Sequence, residues 1–369
     1  MESNAPRVNQ ADIARALGIS QSTVSIALKG DIRVSQKTRT LIRRKADEMG
    51  YVPDPSLLAL SRYRRHVKDT QVATGLAWVT NHPTEDGWRS EMIEAYRKGA
   101  SDRARKLGYQ LYDFWMADPS ISAERFRQIL IARGIRGLLF APQAAFHTKI
   151  EFDFTGFAGV KFGYSLQSPN LHMVSNYQHQ TVRLAYRRLE ALGYQKIGFL
   201  MSDAVDRRVD RNFSGGYHSL NPSGVDPDFI QPFIFDRFSD RGFDEWYSRW
   251  KPDAVLITGR TSNELRNWMV KRDLVPGRDL AFAELNLTSK SRDVAGIDQQ
   301  SESIGSAAVN VLDSLLSHFE YGIPADPINT LIGGVWRDGK SAPGKALKQS
   351  APSGRGQKNA PVSKGKRGR

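Results

Sequence analysis

The chain has 369 residues, 40% of them apolar, carries 53 Lys and Arg against 39 Asp and Glu, and contains no cysteine. Apolar material on that scale fills the cores of two or three domains, and the lack of cysteine excludes disulfides, thiol nucleophiles and thiolate metal sites together. No early apolar run is long enough for a secretion signal or a membrane span, so a cytoplasmic protein is expected.

The net charge of +14 is unevenly placed. Residues 1–66 hold 12 Lys and Arg against 6 Asp and Glu, residues 67–338 hold 32 against 33, and residues 339–369 hold 9 against none. Basic ends on a near-neutral middle suit a sensing body with a polyanion-binding end.

In chain order, the first predicted elements are three short helices. Ile13, Ala14 and Leu17 share one helical face, Gly18 breaks the run, and Val24, Ala27 and Leu28 resume it, which reads as two helices and a tight turn. Ser20 is placed to cap the second helix, whose outward positions carry Gln21, Ser22, Ser25, Ile26 and Lys29. A third helix starts near Ser35, with Thr38, Leu41, Ile42, Ala46 and Met49 expected inside and Lys37, Arg39, Arg43, Arg44 and Lys45 in water.

The segment Asp54-Pro55-Ser56-Leu57-Leu58-Ala59-Leu60 reads as a very short helix with Asp54 as its cap and Pro55 in its first turn. Helices below about 12–15 residues are marginal alone, so this one is expected to order against a partner. Arg62, Arg64 and Arg65 follow, either as phosphate contacts or as a solvated linker.

At these residues the chain resembles the lactose-repressor (LacI/GalR) family of transcriptional regulators. Val8, Asp12-Ile13-Ala14, Gly18-Ile19-Ser20, Thr23-Val24-Ser25, Val34-Ser35, Lys37-Thr38-Arg39 and Gly50-Tyr51-Val52-Pro53 stand in the order of that family's DNA-binding domain, without a gap. The resemblance implies a helix-turn-helix head at residues 1–53 and a hinge and linker at 54–71. It also implies DNA contacts from Asn9, Ser20, Gln21, Ser22, Thr23, Ser25, Ile26, Lys29, Ser35, Thr38 and Tyr51. Gln21, Ser22 and Ile26 are expected to read base edges, since glutamine bonds adenine bidentately and an apolar group meets the thymine methyl. Ile26 stands where many family members have an arginine, which points to a different half-site. In the family a hinge leucine wedges into the minor groove; Leu60 holds that position, and Leu57 replaces a small residue. The other reading of these leucines is packing on the body.

From Val72 the pattern alternates strand and helix. Strands are expected at Val72–Thr80, Tyr109–Trp115, Gly137–Ala141, Gly159–Tyr164, Lys196–Met201, Phe229–Phe235, Ala254–Thr258 and Leu280–Leu285, with helices between them, hence parallel sheets. Residues 72–338 are too long for one doubly wound lobe. The fold expected is α/β: an all-α helix-turn-helix head plus a two-lobed, periplasmic-binding-protein-like body of parallel sheets flanked by helices, serving effector binding and dimerisation. Leu192-Gly193-Tyr194-Gln195-Lys196-Ile197-Gly198-Phe199, Ala295-Gly296-Ile297-Asp298-Gln299 and Trp336-Arg337-Asp338-Gly339 continue the family resemblance.

Ligands of such sheets bind beyond the carboxyl ends of strands, which nominates Thr80, Asn81, Thr258 and Arg260. The resemblance adds Asn176 and Asn286, where family members commonly carry aspartates, and Phe213 at the position of an effector-binding arginine, with Arg211 nearby. An aromatic at 213 is expected to stack on a ligand ring. The tail 339–369, rich in Gly, Ser, Pro and basic residues, is expected to be disordered, either adding general DNA affinity or serving only solubility.

Phosphate-loop, nucleophile-elbow and zinc-protease motifs are absent, and the seven histidines lack metal-ligand spacing. No catalytic residue, cofactor or metal is expected. Two functional classes stand open. One is a homodimeric, nucleoid-associated regulator, a repressor by preference, on a pseudo-palindromic double-stranded operator, controlled by a small molecule such as a sugar or related metabolite. The other is a non-specific architectural DNA-bending protein.

Overall fold

The computed structural model describes residues 8–28, 33–52, 74–221, 223–224 and 226–345, with the side chain of Arg260 outside that set. The expectations for Lys29, the hinge with Leu57 and Leu60, and most of the tail lie outside the described residues.

The head packs α1 (Gln10–Leu17), α2 (Gln21–Leu28) and α3 (Gln36–Glu48) around Ile13, Ala14, Val24, Ala27, Ile42 and Ala46. Leu41 was expected inside but is 50% exposed. Ile42 and Ala46 sit one turn apart and define the inward stripe, and Leu41 lies one residue, about 100°, off that stripe.

The body has two lobes. The first sheet runs β13-β7-β5-β3-β1-β2, wholly parallel. Its strands are β1 (Thr74–Thr80), β2 (Tyr109–Trp115), β3 (Gly137–Phe140), β5 (Ala158–Phe162), β7 (His172–Asn176) and β13 (Asn329–Ile332). The second runs β14-β12-β11-β10-β8-β9, with β14 alone antiparallel. It comprises β8 (Ile197–Ser202), β9 (Phe233–Phe235), β10 (Ala254–Ile257), β11 (Ala281–Glu284), β12 (Ala295–Asp298) and β14 (Val335–Arg337). A minor pair, β4 (Thr148–Lys149) and β6 (Leu166–Ser168), flanks the first lobe.

The central strands β3, β5, β10 and β11 are buried at every residue, because helices cover both faces of each sheet. α4 (Glu91–Lys106), α5 (Ala123–Ala132) and α11 (Ser301–His318) belong to the first lobe. α6 (Gln178–Ala191), α7 (Asp203–Arg208), α8 (Asn212–His218), α9 (Asp240–Trp250) and α10 (Gly259–Val270) belong to the second. The chain therefore passes between lobes three times, at residues 177, 299–300 and 333–334. A cavity of about 480 Å³ lies between the starts of α4 and α11 on the first lobe and the segments that follow β11 and β12 on the second.

Two corrections concern the body. β4, β6, β7, β12, β13 and β14 were not among the strands expected. The C-terminal boundary also moves: Ser341 accepts from the Ala295 amide (2.9 Å) and donates to the Phe282 carbonyl (2.7 Å), and Lys345 pairs with Asp253 at 2.7 Å. Residues 339–345 are thus packed on the second lobe, where a disordered tail was expected.

His172 ties the edge strand β13 to β7, its Nδ1 accepting the Ile328 amide at 3.0 Å. Burial lowers its pKa from the ordinary histidine value, with the charge of Glu320 opposing. A base with a depressed folded pKa supports stability above its unfolded pKa, near 6.5, and loses that support as pH falls through the folded value. Protection of the β13 amides, corrected for the intrinsic exchange rate at each pH, is expected to fall as pH drops below about 6.5, and protection that does not change would refute the assignment.

Candidate nucleic-acid interface and interlobe cleft

Each head helix begins on a capping side chain. Asn9 caps α1 by accepting from the Ala11 and Asp12 amides, while Asp12 accepts from the Asn9 amide at 3.0 Å, a reciprocal capping box. Gly18, at φ +65°, closes α1 in the left-handed region that favours glycine. Ser20 accepts from the Thr23 amide at 3.1 Å, and its hydroxyl bonds those of Ser22 and Thr23 at 2.8 and 2.7 Å. Ser35 caps α3 through the Thr38 amide, with its hydroxyl 2.8 Å from that of Thr38.

Gln21 and Ser22 are exposed, Thr23, Ser25 and Ile26 half-buried, so the outward strip of α2 is the one expected. Tyr51 accepts from Gln10 Nε2 at 3.1 Å and packs against the head core. Asn9, Ser20, Ser35 and Thr38 hold helix starts in place, and Gln21, Ser22, Ser25 and Ile26 lie on the outward side of α2.

In the body, the nominated side chains divide between lobes. Thr80 is buried at the end of β1, its hydroxyl 3.4 Å from the Phe114 carbonyl, with Asn81 half-exposed beside it. Asn176 ends β7 at the first crossing; its Oδ1 accepts from Gln178 Nε2 at 2.6 Å. Asn286 follows β11 and accepts the Gly259 amide at 2.9 Å, which places it against the start of α10 beside Thr258, itself 3% exposed.

Phe213 is a correction. It is 4% exposed and sits in the second-lobe core with Phe199 and Tyr217, because α8 turns its apolar face to the sheet. It offers no stacking surface to a ligand. Arg211 is paired with Asp203 at 3.2 Å and Asp206 at 3.7 Å within the second lobe. Arg207 also binds Asp203, and that hydrogen bond holds the Asp203 carboxyl below its ordinary range against the opposing effect of burial.

Away from the crossings, two contacts span the lobes among the described residues. Arg208 at the end of α7 donates to the main-chain carbonyls of Gln143 and, at 2.9 Å, Ala144 beyond β3. The Ser289 amide donates to Glu91 at the start of α4. Neither contact nor Gln143 was singled out from sequence; the strand-end rule that selected Thr80 applies equally to Gln143, three residues after β3. Arg208→Ala is expected to loosen the closed arrangement by about 1 kcal/mol, the scale of a half-exposed charged hydrogen bond. Small-angle scattering should then give a larger radius of gyration, and an unaltered curve would show that other contacts hold the lobes.

Residues 11–54 match the model of the family described as bacterial regulatory proteins, lacI family. The HTH-type transcriptional repressor PurR of Pasteurella multocida (strain Pm70) is 21% identical over 235 residues, which make up 61% of this chain and 65% of PurR. Among solved structures, the transcriptional regulator CelR in complex with cellobiose aligns with TM-score 0.54 and 17% identity, over 91% of this chain and 100% of that one. A lac repressor dimer bound to operator and the anti-inducer ONPF aligns with TM-score 0.50 and 18% identity, over 91% and 99%. A putative regulator of the family from Rhizobium etli reaches 0.56 at 12% identity, over 73% and 99%. At such identities the structural likeness establishes the fold.

Proposed function

The head being of the lacI family and the body having the fold of that family's regulators, we propose that this chain is a sequence-specific transcriptional regulator, acting as a repressor. It binds a pseudo-palindromic operator as a homodimer, since two-fold protein symmetry is matched by two-fold symmetry of the site. The observation that carries this reading is the α2 strip of Gln21, Ser22, Ser25 and Ile26, presented by a helix whose start is already capped. The family resemblance assigns a further DNA contact to Lys29 and the minor-groove wedge to Leu57 and Leu60.

A small molecule bound between the lobes changes operator affinity by favouring one lobe arrangement over another. Its contacts come from Thr80, Asn81, Asn176, Arg211, Thr258, Arg260 and Asn286. The relatives support the type of ligand: CelR is solved with cellobiose and the lac repressor with an anti-inducer. Enzymatic activity has no place in the reading, and no metal-binding group of His, Cys, Asp and Glu occurs among the described residues.

The test is footprinting on a selected operator with and without compounds that raise the melting temperature of the full chain. Such a compound should shift half-protection at least about fivefold, a coupling of about 1 kcal/mol. Compounds that bind yet leave protection unchanged would remove effector control from the account.

A further inference from the structure

Glu284 ends β11 on the same face as Leu280 and Phe282, the face packed by α10, because alternate residues of a strand share a face. It is 4% exposed and accepts from Ser291 Oγ at 2.7 Å, and it forms no ion pair among the described residues. A buried carboxylate is ordinarily neutralised by a cation or saturated with hydrogen-bond donors. One hydroxyl does neither.

Glu284 lines a cavity of about 810 Å³ within the second lobe, between α10 and residues 288–294. Arg266 of α10 lines the same cavity, its guanidinium 4.8 Å from the centre of the Phe282 ring and its Nε donating to Ser262 Oγ at 3.5 Å. Among the described residues it too lacks a partner of opposite charge, so an acid and a base face one cavity without pairing. Lys290 and Arg292 are exposed on its wall and add positive charge, while Asp293, the other acid there, is taken by Lys340 at 3.2 Å. Charge therefore runs from negative at the buried floor to positive at the rim. This cavity is separate from the one between the lobes, since Thr288 and Ser289 alone line both.

The paired charges select the ligand. An uncharged molecule would leave both Glu284 and Arg266 uncompensated, a simple anion would meet the buried carboxylate, and a simple cation would meet the three bases. A molecule with an ammonium at one end and a carboxylate at the other answers both, because an ammonium brings three donors to a carboxylate and a guanidinium fork receives a carboxylate bidentately. The volume is within the usual range for small-molecule sites.

We propose that this second-lobe cavity binds a small zwitterion, a free α-amino acid or short peptide, with its ammonium on Glu284 and its carboxylate on Arg266. The site is additional to any effector held between the lobes and does not depend on it.

The test uses the full chain with the common free amino acids and a set of dipeptides, each beside its N-acetyl derivative, which lacks the ammonium, and its amide, which lacks the carboxylate. Melting temperature selects binders and calorimetry ranks them; the stronger of the amino-acid and dipeptide arms identifies the source of the zwitterion. Both blocked derivatives should bind at least about tenfold more weakly than the parent compound. Glu284→Gln keeps an acceptor for Ser291 and Arg266→Met keeps an apolar stem over Phe282, so each unliganded variant should melt within about 2 °C of the parent protein while losing about tenfold or more in affinity. A panel without any binder would overturn the proposal, as would a blocked derivative that binds as well as its parent. So would affinity that ignores both substitutions but falls with Arg337→Met, which would place the compound between the lobes. Loss of stability in both unliganded single variants, not increased in the double variant, would overturn it as well, by showing that Glu284 and Arg266 pair with each other.

Discussion

Gly305→Ala is expected to lower the melting temperature of the body by about 10 °C, the equivalent of roughly 3 kcal/mol in a domain of this size. The cause is the crossing of α4 and α11. A Cβ on Gly305 would lie 1.9 Å from the Tyr96 carbonyl oxygen and 2.7 Å from the Ala100 amide nitrogen. Facing it, a Cβ on Gly99 would lie 1.9 Å from the carbonyl oxygen of Glu302. The obstacles are main-chain atoms of a packed helix, so relief requires the helices to separate.

Separation would uncover Ile304, Ala308 and Leu312, which with Tyr96 and Ala100 form the core on that face of the first sheet. It would also loosen Lys98–Glu302 and Arg103–Asn310, at 2.7 and 2.6 Å across the same crossing. The consequence reaches the cleft, because α4 begins at Glu91, the first-lobe partner of Ser289. Calorimetric melting of the variant decides the matter. A profile equal to that of the parent would mean that the helices do not approach as closely as described.

The second large effect concerns DNA. Replacing Gln21 by Ala should weaken binding to the selected operator about 10- to 100-fold, the range for losing one bidentate base contact of 1–3 kcal/mol. Affinity for random duplex should stay within about twofold, because phosphate contacts supply non-specific binding. Gln21 is exposed and takes no part in the capping of α2, which rests on Ser20, so the head should melt as before. Fluorescence anisotropy at one fixed salt concentration measures both affinities. Equal weakening on operator and random duplex would assign Gln21 to the backbone.

The head was the most legible part of the chain. The cap read from sequence, Ser20, acts on an amide three residues away, and such short-range chemistry is written in consecutive residues; Asn9 and Ser35 cap in the same local way but were read only as DNA contacts. The long strands were equally plain, as in the buried Thr74–Thr80 and the edge strand Tyr109–Trp115. Leu41 shows the limit, because a one-residue error in helix phase exchanges inside for outside.

The cleft was only partly legible. Strand ends can be named from sequence, but which arginine reaches across to the other lobe depends on the turn between α7 and α8, where Asp210 and Arg211 adopt positive φ. Arg208, separated from Gln143 by 65 residues, carries no local sign of that contact. Phe213 misled because alignment to a family position supplies a site without its surroundings; an aromatic at that position completes the core beneath the cleft. Ser341 was likewise hidden, since its partners Ala295 and Phe282 lie far back along the chain.

The claim on which the rest stands is tested most directly by selecting full-length protein against randomised duplexes and comparing the winners with random DNA at the same salt. Enrichment of an inverted repeat bound at least about 10³-fold more tightly than random duplex is the predicted result. Failure to enrich any sequence, or a preference of less than about tenfold, would contradict a sequence-reading regulator and leave a DNA-bending protein of general affinity in its place.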